Sequence, residues 1–226
     1  MIVRSLLRTT ALLLAVVLGA AACGASNVPV AGPAPASGSS APTTPPAGDL
    51  TAVPTPTAPP KTTWPTGAWV VVDDKANDVR FQLPRKVKAE LRSRPGMVDE
   101  IVGRVYKYQV GTGYKAGYLV VSVIRADATV RLDYARSSYE EAVKALESEG
   151  ATDARLFDVR TASVPKGQAL DSTLTYIAAG GSRTYWRQRT IILGTLVVQV
   201  QALGERLDER KIDKAFGRLT DSVVVG

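Results

Sequence analysis

The chain has 226 residues, which is enough for one globular domain together with additional segments, and it carries a formal net charge of +7. It contains no histidine, which excludes serine–histidine and cysteine–histidine nucleophile pairs and every histidine-ligated metal site. Its single cysteine cannot form an internal disulfide. The sequence shows no motif for a metal or another cofactor, and we expect none to be bound.

Residues 1–22 have the three zones of an export signal, and a small-residue segment leads directly to the cysteine. Positive charge stands near the start, at Arg4 and Arg8, and an apolar run follows at residues 11–18. That run is too short for a comfortable permanent membrane span. An ordinary secretory signal with a cysteine near its cleavage point is the alternative interpretation.

The end of this segment, Leu18-Gly19-Ala20-Ala21-Ala22-Cys23, resembles the lipobox of bacterial lipoproteins. It departs from the usual pattern at Ala20, where leucine is most common. The resemblance implies that the Cys23 thiol takes a diacylglycerol and that Cys23 becomes the new N-terminus. Two or more acyl chains give stable anchoring. We therefore expect a protein anchored by lipid on the extracytoplasmic side of the cell membrane.

Residues 23–64 consist largely of Ala, Pro, Thr, Gly and Ser and contain almost no large apolar side chains. Such a segment cannot bury enough surface to offset its ordering entropy, which predicts a disordered tether. Its prolines favour extended polyproline II structure, as suits a spacer, and Thr and Ser beside Pro leave O-glycosylation open. Because we expect the domain to lie outside the cell, we expect no nucleic acid among its partners.

Residues 65–226 carry the periodic patterns of one folded domain. A short strand is predicted at residues 79–83, and Val-, Ile- and Tyr-rich runs at 101–110 and 118–125 predict a hairpin. Apolar residues at helical spacing between 132 and 146, with Gly150 as a stop, predict a helix. A further strand is predicted at residues 157–161.

The C-terminal third predicts a three-stranded antiparallel meander over residues 168–203, followed by a helix. Apolar and polar residues alternate along 195–202, the pattern of a half-buried strand. Gly180-Gly181 and Gly194 supply turns. The final helix has its apolar stripe at four positions: Leu207, Ile212, Phe216 and Leu219. Strands in runs with intervening helices indicate an α+β fold with an antiparallel sheet.

This order of elements, together with the closing segment Phe216-Gly217-Arg218-Leu219-Thr220-Asp221-Ser222, resembles the PsbP-like fold. Small actinobacterial lipoproteins are among the members of that family. The resemblance covers residues 79–225 and implies an antiparallel sheet flanked by helices. It also implies a binding or assembly role, and it supplies no catalytic residues.

Two short segments resemble ligand sites and are better interpreted as turns. Asp73, Asp74 and Asp78 lack the spacing and the central glycine of an EF-hand calcium loop, and they predict a turn between strands. The glycine-bearing segment 111–117 precedes a strand, whereas a phosphate-binding loop leads into a helix. We interpret it as a hairpin loop, in which Tyr114 and Lys115 offer a contact surface.

The strongest candidate for a ligand or partner face is an alternating row of four residues: Arg183, Tyr185, Arg187 and Arg189. On a strand they share one side. Guanidinium groups match the geometry of phosphate and carboxylate groups, so this row could bind anionic lipid heads or wall polymers. The alternative is a solvated outer face in which the arginines pair with Asp171 or a neighbour.

Three functional hypotheses follow from these observations. The leading one is a non-catalytic module that binds an envelope protein or an anionic envelope component. The second is a carrier of a lipid or small apolar ligand, whose cavity would be lined by residues such as Leu132, Tyr139 and Trp186. The third is a hydrolase that uses carboxylates, because histidine is absent and the cysteine is lipidated.

Overall fold

The computed structural model of the chain describes residues 63–93, 101–112 and 116–226. The predicted export signal, the Cys23 anchor and nearly all of the predicted tether therefore lie outside the described residues. So do Tyr114 and Lys115 of the hairpin loop. In the described ranges no helix is long and apolar enough to cross a membrane.

The described strands form two antiparallel sheets, one of seven strands and one of three. The strands are Val70–Asp74 (β1), Val79–Leu83 (β2), Glu90–Ser93 (β3), Ile101–Val110 (β4), Gly117–Arg125 (β5), Thr152–Ala162 (β6), Gln168–Ile177 (β7), Arg183–Leu193 (β8), Leu196–Glu205 (β9) and Val224–Val225 (β10). The large sheet has the order β3-β4-β5-β9-β8-β7-β6, and the small sheet has the order β1-β2-β10. The predicted meander and the predicted β4–β5 hairpin are both present.

Two helices, Leu132–Ser148 (α1) and Glu209–Asp221 (α2), pack on opposite faces of the large sheet. The Tyr139 hydroxyl of α1 lies 2.6 Å from Thr190 Oγ1, whereas the Tyr185 hydroxyl donates to Asp213 of α2. Because Tyr185 and Thr190 differ by an odd number of positions along β8, their side chains point to opposite sides. The predicted α+β class with an antiparallel sheet is confirmed for the described residues.

Two details of the sequence prediction were wrong. Strand β9 is buried on both faces rather than half-buried, since Val200 is 0% exposed on the α2 side and Gln201 is 1% exposed on the α1 side. Leu207 does not belong to the apolar stripe of the last helix. It lies in a 3-10 turn before α2 and is 94% exposed.

The acidic residues predicted to form a turn lie at the β1–β2 connection. Asp73 and Asp74 are the last residues of β1. Asp78, which has a positive φ of 54°, directly precedes β2. Asp74 is buried, accepts a hydrogen bond from Asn77 Nδ2 at 2.9 Å and lies 3.8 Å from Arg104 Nε. These contacts assign Asp74 to the stabilisation of the turn.

Two tryptophans, Trp64 and Trp69, attach the segment before β1 to the rest of the domain on the α2 side. Trp64 Nε1 donates to Asp208 at 3.2 Å, and the Trp64 ring lies over Gly117 and Gly204, where a Cβ atom would come within 3 Å of it. The guanidinium of Arg218 lies 4.7 Å from the Trp69 ring centroid. The segment before β1 is therefore fastened to the same side of the sheet as α2.

Candidate functional site

The row of residues predicted as a partner face lies on the side of β8 that faces α2. Arg183, Tyr185, Arg187 and Arg189 alternate along the strand, as the period-two pattern requires. Only Arg183 is exposed. Tyr185 is buried, and Arg187 and Arg189 are half-buried. The structure thus brings the four residues together but turns most of the row inward.

Arg189 is held by Asp171, which lies directly opposite it on β7. Arg189 Nε donates to Asp171 Oδ1 at 2.6 Å and its Nη2 donates to Oδ2 at 3.0 Å, the two parallel bonds that a planar guanidinium makes with a carboxylate. The Asp171 side chain is 6% exposed. Hydrogen bonding to Asp171 raises the pKa of Arg189 above its ordinary value. This pair cross-links two strands inside the domain.

Arg187 and Tyr185 both bind Asp213 of α2. The Tyr185 hydroxyl donates to Asp213 Oδ1 at 3.0 Å, and Arg187 Nη1 donates to the same oxygen at 3.1 Å. The Arg187 guanidinium also lies 5.1 Å from the centroid of the Phe216 ring, within the range of a cation–π contact. Burial raises the pKa of the Tyr185 phenol above its ordinary value. These two residues therefore attach α2 to the sheet.

The same sheet face continues beyond α2 onto the edge strand β6, which the sequence analysis did not include in the site. Arg155 lies opposite Thr175, Phe157 opposite Thr173, and Arg160 opposite Asp171. Arg155, Arg160 and Arg183 are exposed, and Phe157 is 40% exposed. We call these four residues, Arg155, Phe157, Arg160 and Arg183, the exposed arginine face.

Two β-bulges in β6 explain why sequence alternation missed this face. Asp153 and Asp158 have positive φ values of 53° and 54°, and the register shifts at both places. A bulge inserts an extra residue, so Phe157 and Arg160 point to the same side although they are three positions apart. Bulges of this kind also protect an edge strand from pairing with another chain.

Beneath the exposed arginine face, two buried polar atoms lack a hydrogen-bond partner among the described residues. They are Thr173 Oγ1 and Arg187 Nε. Thr173 is 0% exposed and lies opposite Arg187 in the β7–β8 register. Both atoms can donate to an acceptor, but both are enclosed below the surface and do not reach a group bound on it.

The described carboxylates do not gather into a metal site. Within residues 63–93, 101–112 and 116–226, no three Asp, Glu, Cys or His side chains are close enough to hold an ion. On the exposed arginine face Asp153 is bound by Arg155 at 2.7 Å, and beneath the face Asp171 is bound by Arg189 and Asp213 by Arg187. This arrangement can bind an anionic or aromatic surface.

No model of a protein family matches the chain, and no curated protein matches it. The chain is similar to the solved structure of LpqN of Mycobacterium tuberculosis, described as involved in cell envelope biogenesis, with 13% identity and a TM-score of 0.41, over 70% of this chain and 90% of that one. It is also similar to the Ran-binding protein Mog1p of Saccharomyces cerevisiae, with 10% identity and a TM-score of 0.41, over 70% and 95% of the two chains. At a TM-score of 0.41 neither likeness carries an argument about the family or the role of this chain.

Proposed function

We propose that the chain is a non-catalytic binding or assembly module, held on the extracytoplasmic side of the cell membrane by a lipid on Cys23. Its partner is an envelope protein or an anionic envelope component. The observation that carries this proposal is the exposed arginine face, where three exposed arginines lie on the same side of the sheet as Phe157, whose side chain is 40% exposed.

The chemistry of this face suits recognition. Arginine and aromatic side chains contribute a large share of binding energy at protein interfaces, and guanidinium groups bind carboxylates and phosphates with two parallel hydrogen bonds. Arg187 and Arg189 support the surface from below through Asp213 and Asp171. The inner arginines therefore maintain the fold, and among the outer ones Arg155 pairs with Asp153 while Arg160 and Arg183 are exposed toward a partner.

The lipid anchor gives the face its location. The segment 18–23 carries the lipobox resemblance, and residues 24–64 are of spacer composition. A chain of that composition would let the domain reach partners at some distance from the membrane surface while remaining attached. The anchor and the recognition face are separate parts of one proposal, and each can be tested alone.

The test of the face compares three full-length lipoproteins in cells treated with a cross-linker. They are the wild type, the Arg160→Ser/Arg183→Ser variant and the control variant Arg131→Ser/Arg136→Ser. The control removes the same charge from exposed arginines at the start of α1, on the other side of the sheet. Arg187 and Arg189 are left intact because their ion pairs stabilise the fold.

We expect wild type and control to recover the same cross-linked partner and the Arg160→Ser/Arg183→Ser variant to lose it. Recovery should also weaken as salt rises, because exposed charges are screened. Equal recovery from all three chains would show that the exposed arginine face is not the binding site. An unchanged envelope after deletion of residues 65–226 would contradict the assembly role.

A further inference from the structure

The segment that connects the two sheets carries a run of basic residues. Residues 84–89 join β2 of the small sheet to β3 of the large sheet, and they read Pro-Arg-Lys-Val-Lys-Ala. The three cations in this segment, Arg85, Lys86 and Lys88, are all exposed, and the segment contains no carboxylate. We call these three residues the basic connection.

The charge of the basic connection is not compensated by the carboxylates of the described residues. Neither Lys86 nor Lys88 has an ion-pair partner there. The nearest carboxylate along the chain, that of Glu90, is already paired with Arg92 at 3.4 Å. The guanidinium of Arg85 lies 5.4 Å from the centroid of the Tyr108 ring, a contact that holds the side chain but leaves its charge. The basic connection therefore presents local positive charge to solvent.

The backbone of the basic connection is held by its small apolar residues. Val87 and Ala89 are half-buried and pack against the core cluster that includes Phe216 of α2. Because side chains alternate along an extended segment, Lys86 and Lys88 point away from that core. Both ends of the segment continue into paired strands, β2 and β3. The charges are therefore carried by a segment that is attached to the domain along its length.

The basic connection lies near the point where the predicted tether reaches the domain. The Trp64 ring packs on Gly117, and Gly117 is paired with Val110 of β4. Tyr108, whose ring contacts Arg85, lies two positions before Val110, which is about 7 Å along the strand. Tyr108 and Trp64 also pack in the same apolar cluster. The end of the tether and the basic connection therefore adjoin on one side of the domain.

A tethered domain remains close to the membrane that anchors it. A coil of about forty residues spans roughly 35 Å on average, so the domain stays at high local concentration near the lipid headgroups. Anionic lipids attract basic residues at the surface, and each such residue strengthens binding about fivefold. A few cations are therefore enough to hold a domain that is already attached by its lipid.

We propose that the basic connection docks the domain on the anionic phospholipid headgroups of the membrane to which the chain is anchored. This inference rests on the proposed lipid anchor and adds an orientation to it, with the end of the tether turned toward the bilayer. The exposed arginine face lies on β6 and β8, which β5 and β9 separate from β4 in the large sheet. Docking through the basic connection leaves that face to its own partner.

The test measures energy transfer from the full lipoprotein to lipid in vesicles of phosphatidylcholine alone or of an equal mixture with phosphatidylglycerol. A donor dye is attached at Thr66→Cys, an exposed position close to Trp64, and the acceptor is a labelled lipid. The acyl group on Cys23 keeps the native thiol from reacting with the dye. Lys86→Ser/Lys88→Ser is compared with the control Arg136→Ser/Lys144→Ser, which removes the same charge from exposed positions of α1.

We expect more transfer on anionic than on neutral vesicles for the labelled parent and for the control. In Lys86→Ser/Lys88→Ser the ratio of docked to undocked domain should fall about 25-fold, from two residues at about fivefold each. High salt should remove the difference between the two kinds of vesicle, because exposed charges are screened. The Tm of this variant should equal that of the parent, since both lysines are exposed and unpaired.

Three results would overturn the proposal. They are equal transfer on the two kinds of vesicle, an unchanged ratio in Lys86→Ser/Lys88→Ser, and an equal loss in the control, which would assign the attraction to net charge. Mass spectrometry of the N-terminal peptide tests the anchor separately. A chain without an acyl group on Cys23 would contradict the anchor and this proposal with it, whereas an acylated chain that does not dock would contradict this proposal alone.

Discussion

The close packing of the Trp64 ring on Gly117 and Gly204 can be tested by adding one methyl group at Gly204. A Cβ at Gly204 would lie 2.9 Å from Trp64 Cζ2 and 3.4 Å from Ile212 Cδ1, so Gly204→Ala forces the tryptophan ring to move. Overpacking of this kind costs about 1–3 kcal/mol in unfolding free energy. Alanine in place of a strand glycine also stabilises by about 0.5–1 kcal/mol through lower chain entropy. We expect a net loss of about 1 kcal/mol from these two opposing effects.

The decisive feature is that this cost depends on Trp64. Removing the ring by Trp64→Ala destabilises by about 3–5 kcal/mol, because a buried tryptophan and its bond to Asp208 are lost. In that background the ring no longer opposes a methyl group at Gly204. Gly204→Ala should then be neutral or stabilising by about 0.5 kcal/mol.

Urea unfolding of the two single variants, the double variant and the wild type measures this coupling. Gly180→Ala is the matched control, since a Cβ there meets nothing within 4 Å and Gly180 does not have a positive φ. The reasoning is refuted if the Trp64→Ala and Gly204→Ala effects add to within about 0.5 kcal/mol, as they do for independent sites.

Three further outcomes are expected. Arg189→Ala should lower the unfolding free energy by about 3 kcal/mol in urea, because it leaves Asp171 buried and unpaired, whereas Arg183→Ala should change it by less than about 0.5 kcal/mol. Burial raises the pKa of Tyr139 above its ordinary 10.0, so the folded chain retains a proton that the unfolded chain loses. Stability should therefore fall as pH rises above about 10, and Tyr139→Phe should reduce that fall. Cys23→Ala should abolish the acyl mass on the N-terminal peptide in mass spectrometry.

The sequence predicted most of the large sheet because its strands alternate regularly. Strands β7, β8 and β9 have period-two patterns and glycine turns, and Gly181 and Gly194 do adopt positive φ, at 81° and 62°. The edge strand β6 was predicted only in part, since Asp153 and Asp158 interrupt its alternation. In the small sheet β2 and the turn before it were predicted, whereas β10 was missed because it has only two residues and pairs with β2 over a long sequence separation.

The sequence predicted which residues of β8 lie together in the candidate site, but it did not predict how far they are buried. The spacing of Arg183, Arg187 and Arg189 places them on one side of β8, and their pairing with Asp171 was one of the alternatives. Their burial depends on α2, whose Asp213 is distant along the chain. Alternation also suggested that Gln199 and Gln201 face solvent, because a polar residue covered by a helix has the same sequence pattern as an exposed one.

The two faces of the large sheet hold their helices by different kinds of contact. On the α2 side, Asp213 binds Tyr185 and Arg187, while Arg218 donates to the Gly67 carbonyl at 2.8 Å. That side is held by charged contacts and also receives the chain from the N-terminus, so it suits a fixed recognition surface. On the α1 side, apolar side chains and the hydrogen bond from Tyr139 to the Leu170 carbonyl hold the helix. Charged contacts therefore fix the α2 side, and a partner that binds the exposed arginine face would meet a surface already held in place from below.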